Sequence, residues 1–434
     1  MTAEIAILNK TAIALAADSA VTISVGADQQ KVFDSEDKLF ELSRSDAIGV
    51  MINSDMHFLD APLPVLIKRY RTSCPRFEKV SDAAQSFLSY LHEFAQSSSP
   101  EVRRRSVEGA LTPVLVLLQR RADRTFQQRL FGPGADPEDM MNAANLRDVV
   151  LLEEALALSR LINTFPETIA IGEFVEDPAL ADTINGVIDQ NWPGIGANLR
   201  AVLYSLAESV LGRRVLASVH TGIVFAGFGS SEIFPTLVSF EMFGCVNGQL
   251  RVYQTNEVDI RRSGIRAKVI PFAQKEMVER FLYGLDDQIQ HEITDFVKSA
   301  LPRIRERTME GLVMSEDDRE AMVTDIQEAE QAVLEGLQVE AFEALREQSR
   351  REIEDMVEFM PKSELARMAE ALVNLTSIKR RVSRGVETVG GPIDCAVISQ
   401  GDGFVWVKRK HYFPSELNNR YFDRMREQNS KKEA

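Results

Sequence analysis

The stretch that decides the fold is the segment from Thr2 to Ser19, TAEIAILNKTAIALAADS, at the start of the 434-residue chain. Two apolar runs in it flank the polar pair Asn9-Lys10. Paired apolar runs around a short polar turn predict a β-hairpin. Because a hairpin returns the chain to its starting point, we expect Asp18 to lie close to Thr2.

Thr2 carries the first candidate chemistry. Met1 precedes a small residue, so we expect it to be removed after synthesis. Thr2 would then have a free α-amino group beside its own hydroxyl. An α-amine has a pKa of about 7.7–8.0 and is partly neutral at neutral pH, so it can serve as a base for that hydroxyl. The sequence therefore predicts an N-terminal threonine nucleophile.

A lysine beside the carboxylate would complete this chemistry. Lys38 precedes the apolar run Leu39–Leu42, and a buried lysine paired with Asp18 would lower the pKa of the Thr2 hydroxyl. Lys31 is the alternative, but it follows a polar turn that predicts a solvent-exposed hairpin tip. We expect Lys38 to be the buried lysine.

These residues resemble the proteasome-type β subunits of the N-terminal-nucleophile hydrolase superfamily. Thr2, Asp18-Ser19 and Lys38 resemble the family's Thr, Asp and Lys, and the offset between Thr2 and Asp18 matches the family spacing. Ser19 is either a hydrogen-bond partner in the site or a turn residue. After the next apolar strand the family has a Gly whose amide forms the oxyanion hole. Asn53-Ser54 stands there instead, so a backbone N–H at one of these residues, Ser54 foremost, is the candidate donor.

The resemblance resumes late in the chain, where residues 221–240 and 390–408 resemble the family's central and last hairpins. In the family an Asp and a Ser just before the Gly-Gly support the Thr amine. Neither is present here, and Glu387 and Thr388 are the nearest candidates. The family's Ser-Gly-Ser also has no clear counterpart near residues 271–274.

The order of strands, helices, strands, helices and strands predicts an α+β fold. It suits a four-layer α-β-β-α sandwich of two antiparallel sheets with extra helical insertions. The predicted parts are a discontinuous core (1–58, 218–284 and 364–413), core helices with a first insertion (60–215), a second charged insertion (303–360) and a C-terminal tail (414–434).

Composition narrows the class of protein. The net charge of -15 argues against nucleic-acid and anionic membrane partners, because both need a basic face. The 3 cysteines are widely spaced, which excludes a disulfide framework and fits a reducing cytoplasm. The 5 histidines have no metal-ligand spacing, so we expect neither a metal nor an organic cofactor.

Together these features predict a cytoplasmic hydrolase that cleaves peptide amide bonds through an acyl-enzyme on Thr2. The resemblance implies a peptide or protein substrate and a ring-type homo-oligomer. Two alternatives stay open: a catalytically silent assembly subunit with the same fold, and an amidase of the same superfamily that acts on non-peptide substrates.

Overall fold

The computed structural model describes residues 3–25, 29–43, 45–132, 142–261, 264–312, 315–382 and 389–430. These residues form an α+β fold with antiparallel strand pairs, and this coarse prediction from the sequence is confirmed. The chain divides into two compact units. Unit 1 comprises residues 1–37, 260–397 and 405–434, and unit 2 comprises residues 38–259 and 398–404.

Unit 1 is built on a five-stranded sheet with the order β13-β1-β2-β14-β15. Its strands are β1 (Ala3–Asn9), β2 (Ile13–Ala17), β13 (Ala267–Ala273), β14 (Asp394–Ser399) and β15 (Gly403–Lys408), and residues 398–404 at the tip of the last hairpin are counted with unit 2. A separate two-stranded ribbon pairs β3 (Val21–Val25) with β4 (Gln29–Phe33).

The predicted N-terminal hairpin is present. Strands β1 and β2 are antiparallel, and Glu4 pairs with Ala17. The turn extends as far as Ala12, beyond the predicted pair Asn9-Lys10. The Asn9 side-chain oxygen accepts hydrogen bonds from the backbone N–H groups of Thr11 and Ala12, at 2.9 and 3.2 Å, and this local bonding lengthens the turn.

Six α-helices belong to the described part of unit 1: α7 (Glu276–Tyr283), α8 (Asp287–Met309), α9 (Glu316–Gly336), α10 (Ala344–Glu358), α11 (Lys362–Val382) and α12 (Asn419–Ser430). A π-helical segment, Leu337–Glu343, joins α9 to α10. Helix α11 packs on β1 and β2. Ile5 and Ile7 of β1 share one apolar core with Leu365 and Ala369 of α11 and with Cys395 of β14.

Helix α8 spans residue 303, at which the sequence analysis begins the second charged insertion. Helix α8 begins at Asp287 because the side chain of Asp286 accepts a hydrogen bond from the N–H of Ile289 at 2.8 Å and caps the helix. Pro302 lies inside α8 without ending it. The predicted C-terminal tail contains helix α12.

Unit 2 contains a six-stranded sheet with the order β5-β6-β10-β11-β12-β9. Its strands are β5 (Leu39–Glu41), β6 (Ala47–Ser54), β9 (Ile169–Ile171), β10 (Thr221–Phe228), β11 (Thr236–Val246) and β12 (Gln249–Asp259). The predicted central hairpin is the antiparallel pair β10 and β11. A short ribbon of β7 (His57–Phe58) and β8 (Ala61–Pro62) follows β6.

The helices described in unit 2 are α1 (Leu63–Ser73), α2 (Val80–Gln96), α3 (Pro100–Phe131), α4 (Ala143–Ile162), α5 (Leu180–Asn191) and α6 (Ala197–Gly212). Helix α2 packs on β10 and β11, and α3 packs on β11. Leu111 and Leu115 of α3, Val150 of α4 and Leu203 of α6 belong to one buried cluster. Among the described residues no helix combines the length and the apolar character that crossing a membrane requires.

Candidate active site

The carboxylate of Asp18 fixes the N-terminal end of β1. One oxygen accepts a hydrogen bond from the Ala3 N–H at 3.1 Å. The other accepts from the N–H groups of Ala20 and Gly390, at 3.3 and 3.0 Å. Asp18 is 1% exposed. The N–H of Asp18 also donates to the Ala3 carbonyl at 3.1 Å. Asp18 therefore binds both the N–H and the carbonyl of Ala3, the residue that follows Thr2.

Ser19 ties the end of β2 to the loop that precedes β14. Its hydroxyl donates to the Pro392 carbonyl at 2.6 Å, and its N–H donates to the Gly390 carbonyl at 3.1 Å. Gly391, between these two partners, has a φ of 73°. A Cβ there would lie 2.5 Å from the Asp34 carbonyl oxygen, so this close approach requires glycine. The contacts give Ser19 a role in chain positioning, whatever it contributes to the chemistry.

The two candidate lysines lie in opposite environments. Lys38 of unit 2 is fully buried, at 0% exposure, and its carbonyl accepts a hydrogen bond from the Ile52 N–H at 2.9 Å. Lys31 of unit 1 is exposed, and its ammonium lies 5.0 Å from the ring centroid of Phe33. A fully buried lysine is rare and requires compensating partners. The catalytic role of Lys38 stays a prediction.

Ser54 ends strand β6 in the left-handed region, with a φ of 67°. This backbone conformation favours glycine, the residue that the family has at the oxyanion hole. The Asp55 N–H donates to the His220 carbonyl, whereas the Ile52 N–H donates to the Lys38 carbonyl on the opposite side of β6. Antiparallel strands alternate the direction of their N–H groups. The Ser54 N–H therefore points to the side of β6 on which Lys38 lies.

The position of the Asn53 side chain depends on Gly222, which the sequence analysis does not identify as a site residue. Asn53 is buried, and its side-chain oxygen accepts a hydrogen bond from the Ser54 hydroxyl at 3.3 Å. Its cross-strand partner is Gly222. A Cβ on Gly222 would lie 2.1 Å from the Asn53 side-chain oxygen, so a larger residue at position 222 would displace that amide. The cross-strand pairing of the central hairpin was the signal that could have identified Gly222.

Three of the predicted site residues, Thr2, Glu387 and Thr388, lie outside the described residues. Gly390, at the start of the predicted last hairpin, donates its backbone N–H directly to Asp18. Sequence position cannot reveal this contact, because the two residues are 372 positions apart. The Gly-Gly-Pro sequence at residues 390–392 was the only local signal from which a backbone contact at this turn could have been predicted.

Gln274 is a further residue at this end of the sheet that the sequence analysis did not single out. Ala3 of β1 pairs with Ala273 of β13, and Gln274 follows directly. Its side-chain oxygen accepts a hydrogen bond from Arg380 of α11. Its side-chain nitrogen is buried and has no hydrogen-bond partner among the described residues. Within the described part of unit 1, the Gln274 side-chain oxygen therefore has a hydrogen-bond partner and its nitrogen has none.

The protonated thiol is favoured at all three cysteines. Burial raises the pKa of the Cys245 thiol to about 12, and burial, with a smaller contribution from Glu370, does the same for Cys395. Burial also raises the pKa of Cys74. Because the thiolate is the reactive form, these shifts disfavour nucleophilic attack by the three thiols at neutral pH. Across the described ranges no group of three or more His, Cys, Asp or Glu side chains could hold a metal ion.

Comparison with known proteins leaves the family open. No protein-family model matches the chain. No curated protein matches it either. Among solved structures, the chain is similar to the Anbu (Gly-1) mutant from Hyphomicrobium sp. strain MC1, with 12% identity and a TM-score of 0.26 over 99% of this chain and 97% of that chain. Identity and TM-score at this level establish no family, so the evidence for function comes from the residues of this chain.

Proposed function

We propose that this chain is an N-terminal threonine hydrolase that cleaves amide bonds of peptides through an acyl-enzyme on Thr2. The observation that supports the proposal most strongly is the anchoring of Ala3. A buried carboxylate, Asp18, holds the N–H of the residue next to Thr2. A nucleophile works only if its position is fixed to within a fraction of an ångström of productive geometry, and Asp18 supplies a fixed attachment point.

The proposed reaction uses Thr2 twice. Its hydroxyl oxygen attacks the scissile carbonyl carbon, and the hydroxyl proton passes to its α-amine, directly or through water. The C–N bond then breaks, the leaving amine takes that proton, and Thr2 carries the acyl group as an ester. Water hydrolyses the ester and restores the free hydroxyl. This scheme needs no metal and no organic cofactor.

Two further residues are proposed to have the roles that the sequence analysis gives them. Lys38 is proposed to lower the pKa of the Thr2 hydroxyl, and its complete burial supports this role because an exposed ammonium would be screened by solvent. The Ser54 N–H is proposed as the oxyanion donor, and its left-handed backbone supports that role. Such a donor contributes roughly 3–4 kcal/mol to transition-state stabilisation. The four-layer α-β-β-α sandwich is proposed on the same resemblance.

The proposal is tested by hydrolysis of a panel of fluorogenic peptide amides. We expect Thr2→Ala to abolish turnover, and Thr2→Ser to retain part of it because the serine keeps both a hydroxyl and an α-amine. Thr11→Ala, the same change in the turn between β1 and β2, is the matched control and should retain activity. Turnover by Thr2→Ala at the wild-type rate would refute the proposal. A chain that retains Met1 and cleaves none of the peptides would favour the silent assembly subunit.

A further inference from the structure

An apolar stripe runs along one exposed face of helix α8 in unit 1. Phe296, Ala300 and Ile304 follow Ile293 by three, seven and eleven residues, so all four lie on the same face of the helix. The exposed fraction is 39% for Ile293, 71% for Phe296 and 60% for Ile304. Single exposed apolar side chains are common on protein surfaces, whereas a continuous stripe of them marks an interaction surface.

This stripe is not the face by which α8 packs on its neighbour within the chain. Helix α8 contacts α9. Arg305 of α8 pairs with Glu330 of α9, and Met309, one turn after Arg305, is buried. Arg305 follows Ile304 directly, and consecutive residues of a helix point about 100° apart. The stripe is therefore a second face of α8, beside the face that holds α9.

The charges of α8 divide along its length. The charged residues of its N-terminal half are all carboxylates, namely Asp287, Glu292 and Asp295. Those of its C-terminal half are mostly cations, namely Lys298, Arg303, Arg305 and Arg307, with Glu306 as the exception. The helix dipole favours such a division only in the first and last turns, and Glu292 and Arg303 lie farther inside. Neither of these two residues is in an ion pair within the described part of the chain.

A second copy of α8, antiparallel to the first, is complementary to the apolar stripe. The midpoint between Ile293 and Ile304 and the midpoint between Phe296 and Ala300 both fall within one residue of position 298. A two-fold axis near this position therefore brings Ile293 of each copy to Ile304 of the other. It also sets the large ring of Phe296 opposite the small Ala300, so that the two surfaces interdigitate.

The same axis pairs the charges. The midpoint between Glu292 and Arg303 also falls within one residue of position 298. These two residues are eleven positions apart, about three turns of helix, so they lie along the same side of the stripe. The two-fold axis therefore brings each Glu292 near an Arg303 of the other copy. One register thus satisfies the apolar contacts and the opposite charges together.

We propose that α8 is a two-fold interface through which this chain associates with a second copy of itself. Such a contact uses the same surface on both copies and closes on two of them, unlike the head-to-tail contacts that build a ring. It doubles whatever the chain otherwise forms, from one chain to two or from one ring to two.

Exchanging the two charges tests the pairing. Glu292→Arg sets cations opposite each other, and Arg303→Glu sets carboxylates opposite each other, so each should raise the concentration at which the particle mass doubles by at least about tenfold. Light scattering over a concentration series measures this doubling. The double variant restores opposite charges with their signs exchanged, and we expect it to associate as the wild type does. Damage to the fold by either single change would not produce that recovery.

The apolar stripe is tested with matched controls. Phe296→Ser removes the largest side chain of the stripe and should weaken the doubling by at least about tenfold. Phe174→Ser changes a phenylalanine of unit 2 that is 63% exposed, and should have no effect. Lys298→Glu reverses a charge two residues from both Phe296 and Ala300, hence on the opposite side of α8, and should also have no effect.

Three results would overturn the proposal: a wild-type chain whose mass does not double with concentration, single variants that associate as the wild type does, or a double variant that does not recover. The masses are measured without substrate, so they are independent of the proposed reaction at Thr2.

Discussion

At the scale of single residues, Asp18 accounts for more of the fold than its position in the sequence suggests. The hairpin places it opposite Ala3, and this proximity could be predicted from the apolar runs alone. Its third partner, the Gly390 N–H, comes from the far end of the chain. No local pattern encodes such a contact, because it depends on how β14 joins the sheet. The apolar runs therefore predict the pairing of β1 with β2 that brings Asp18 opposite Ala3, but not the third backbone N–H that its carboxylate holds.

We predict that Asp18→Asn destabilises the protein by roughly 2 kcal/mol, because one carboxylate oxygen becomes an NH2 group. That NH2 group would face either the Ala3 N–H or the N–H groups of Ala20 and Gly390, and a buried donor left without an acceptor costs about 1–3 kcal/mol. Urea unfolding measures the change. Asp34→Asn, at an exposed position nearby, is the control. Equal midpoints for Asp18→Asn and wild type would contradict the role given to this carboxylate.

The two lysines give a second prediction at this scale. Lys38→Ala should lose activity by orders of magnitude and should also melt at a lower temperature, because removing a buried charged partner typically costs about 3–5 kcal/mol. Lys31→Ala should change neither property, since Lys31 is exposed. Peptide hydrolysis and thermal unfolding are measured on both. An inactive Lys31→Ala beside an active Lys38→Ala would reverse the assignment.

At the scale of elements, apolar periodicity predicted the hairpins and most helices, whereas boundaries depended on particular side chains. The start of α8 is the clearest case. Asp286 sets it through its bond to the Ile289 N–H and its pairing with Arg280. The dipeptide Asp286-Asp287 after Gly284 was an available signal for a helix start.

Asp286 also gives a prediction that depends on pH. Burial alone would raise the pKa of its carboxyl group, but the Ile289 N–H and the Arg280 guanidinium outweigh burial and lower the pKa. A lowered pKa in the folded state contributes stability above the unfolded pKa of about 3.9, and this stability is lost as the pH falls through the folded value. Asp286→Asn keeps a capping oxygen and loses the charge, and Asp286→Ala loses both.

We therefore expect Asp286→Ala to be the less stable of the two variants at pH 7, by about 1 kcal/mol, the usual contribution of an N-cap. The stability difference between wild type and Asp286→Asn should shrink as the pH falls below about 4. Denaturant unfolding at a series of pH values measures both quantities. A difference that grows toward low pH would contradict the lowered pKa.

At the scale of the whole molecule, the sequence predicted the α+β class and the antiparallel pairing because these follow from periodic patterns along the chain. It could not predict Gln274 as a buried, half-satisfied amide. That state depends on Arg380, which lies 106 positions away on α11. Site residues that are assembled by tertiary packing leave little trace in the spacing of the sequence.

The assembly state is a prediction at this scale. The resemblance to proteasome-type subunits implies a ring-type homo-oligomer, and the charged helices of residues 303–360 are the expected additional contact. Light scattering at micromolar concentration measures the mass of the particle. We expect a mass several times that of one chain. A monomer would contradict the ring and would leave an isolated hydrolase.

The central claim, that Thr2 is the nucleophile, is tested most directly by mass spectrometry of the wild-type chain after brief exposure to a slowly deacylating peptide ester. The claim predicts a mature chain without Met1 that carries one acyl group, and peptide mapping should place that group on Thr2. A chain that retains Met1, or an acyl group on any other residue, would contradict it.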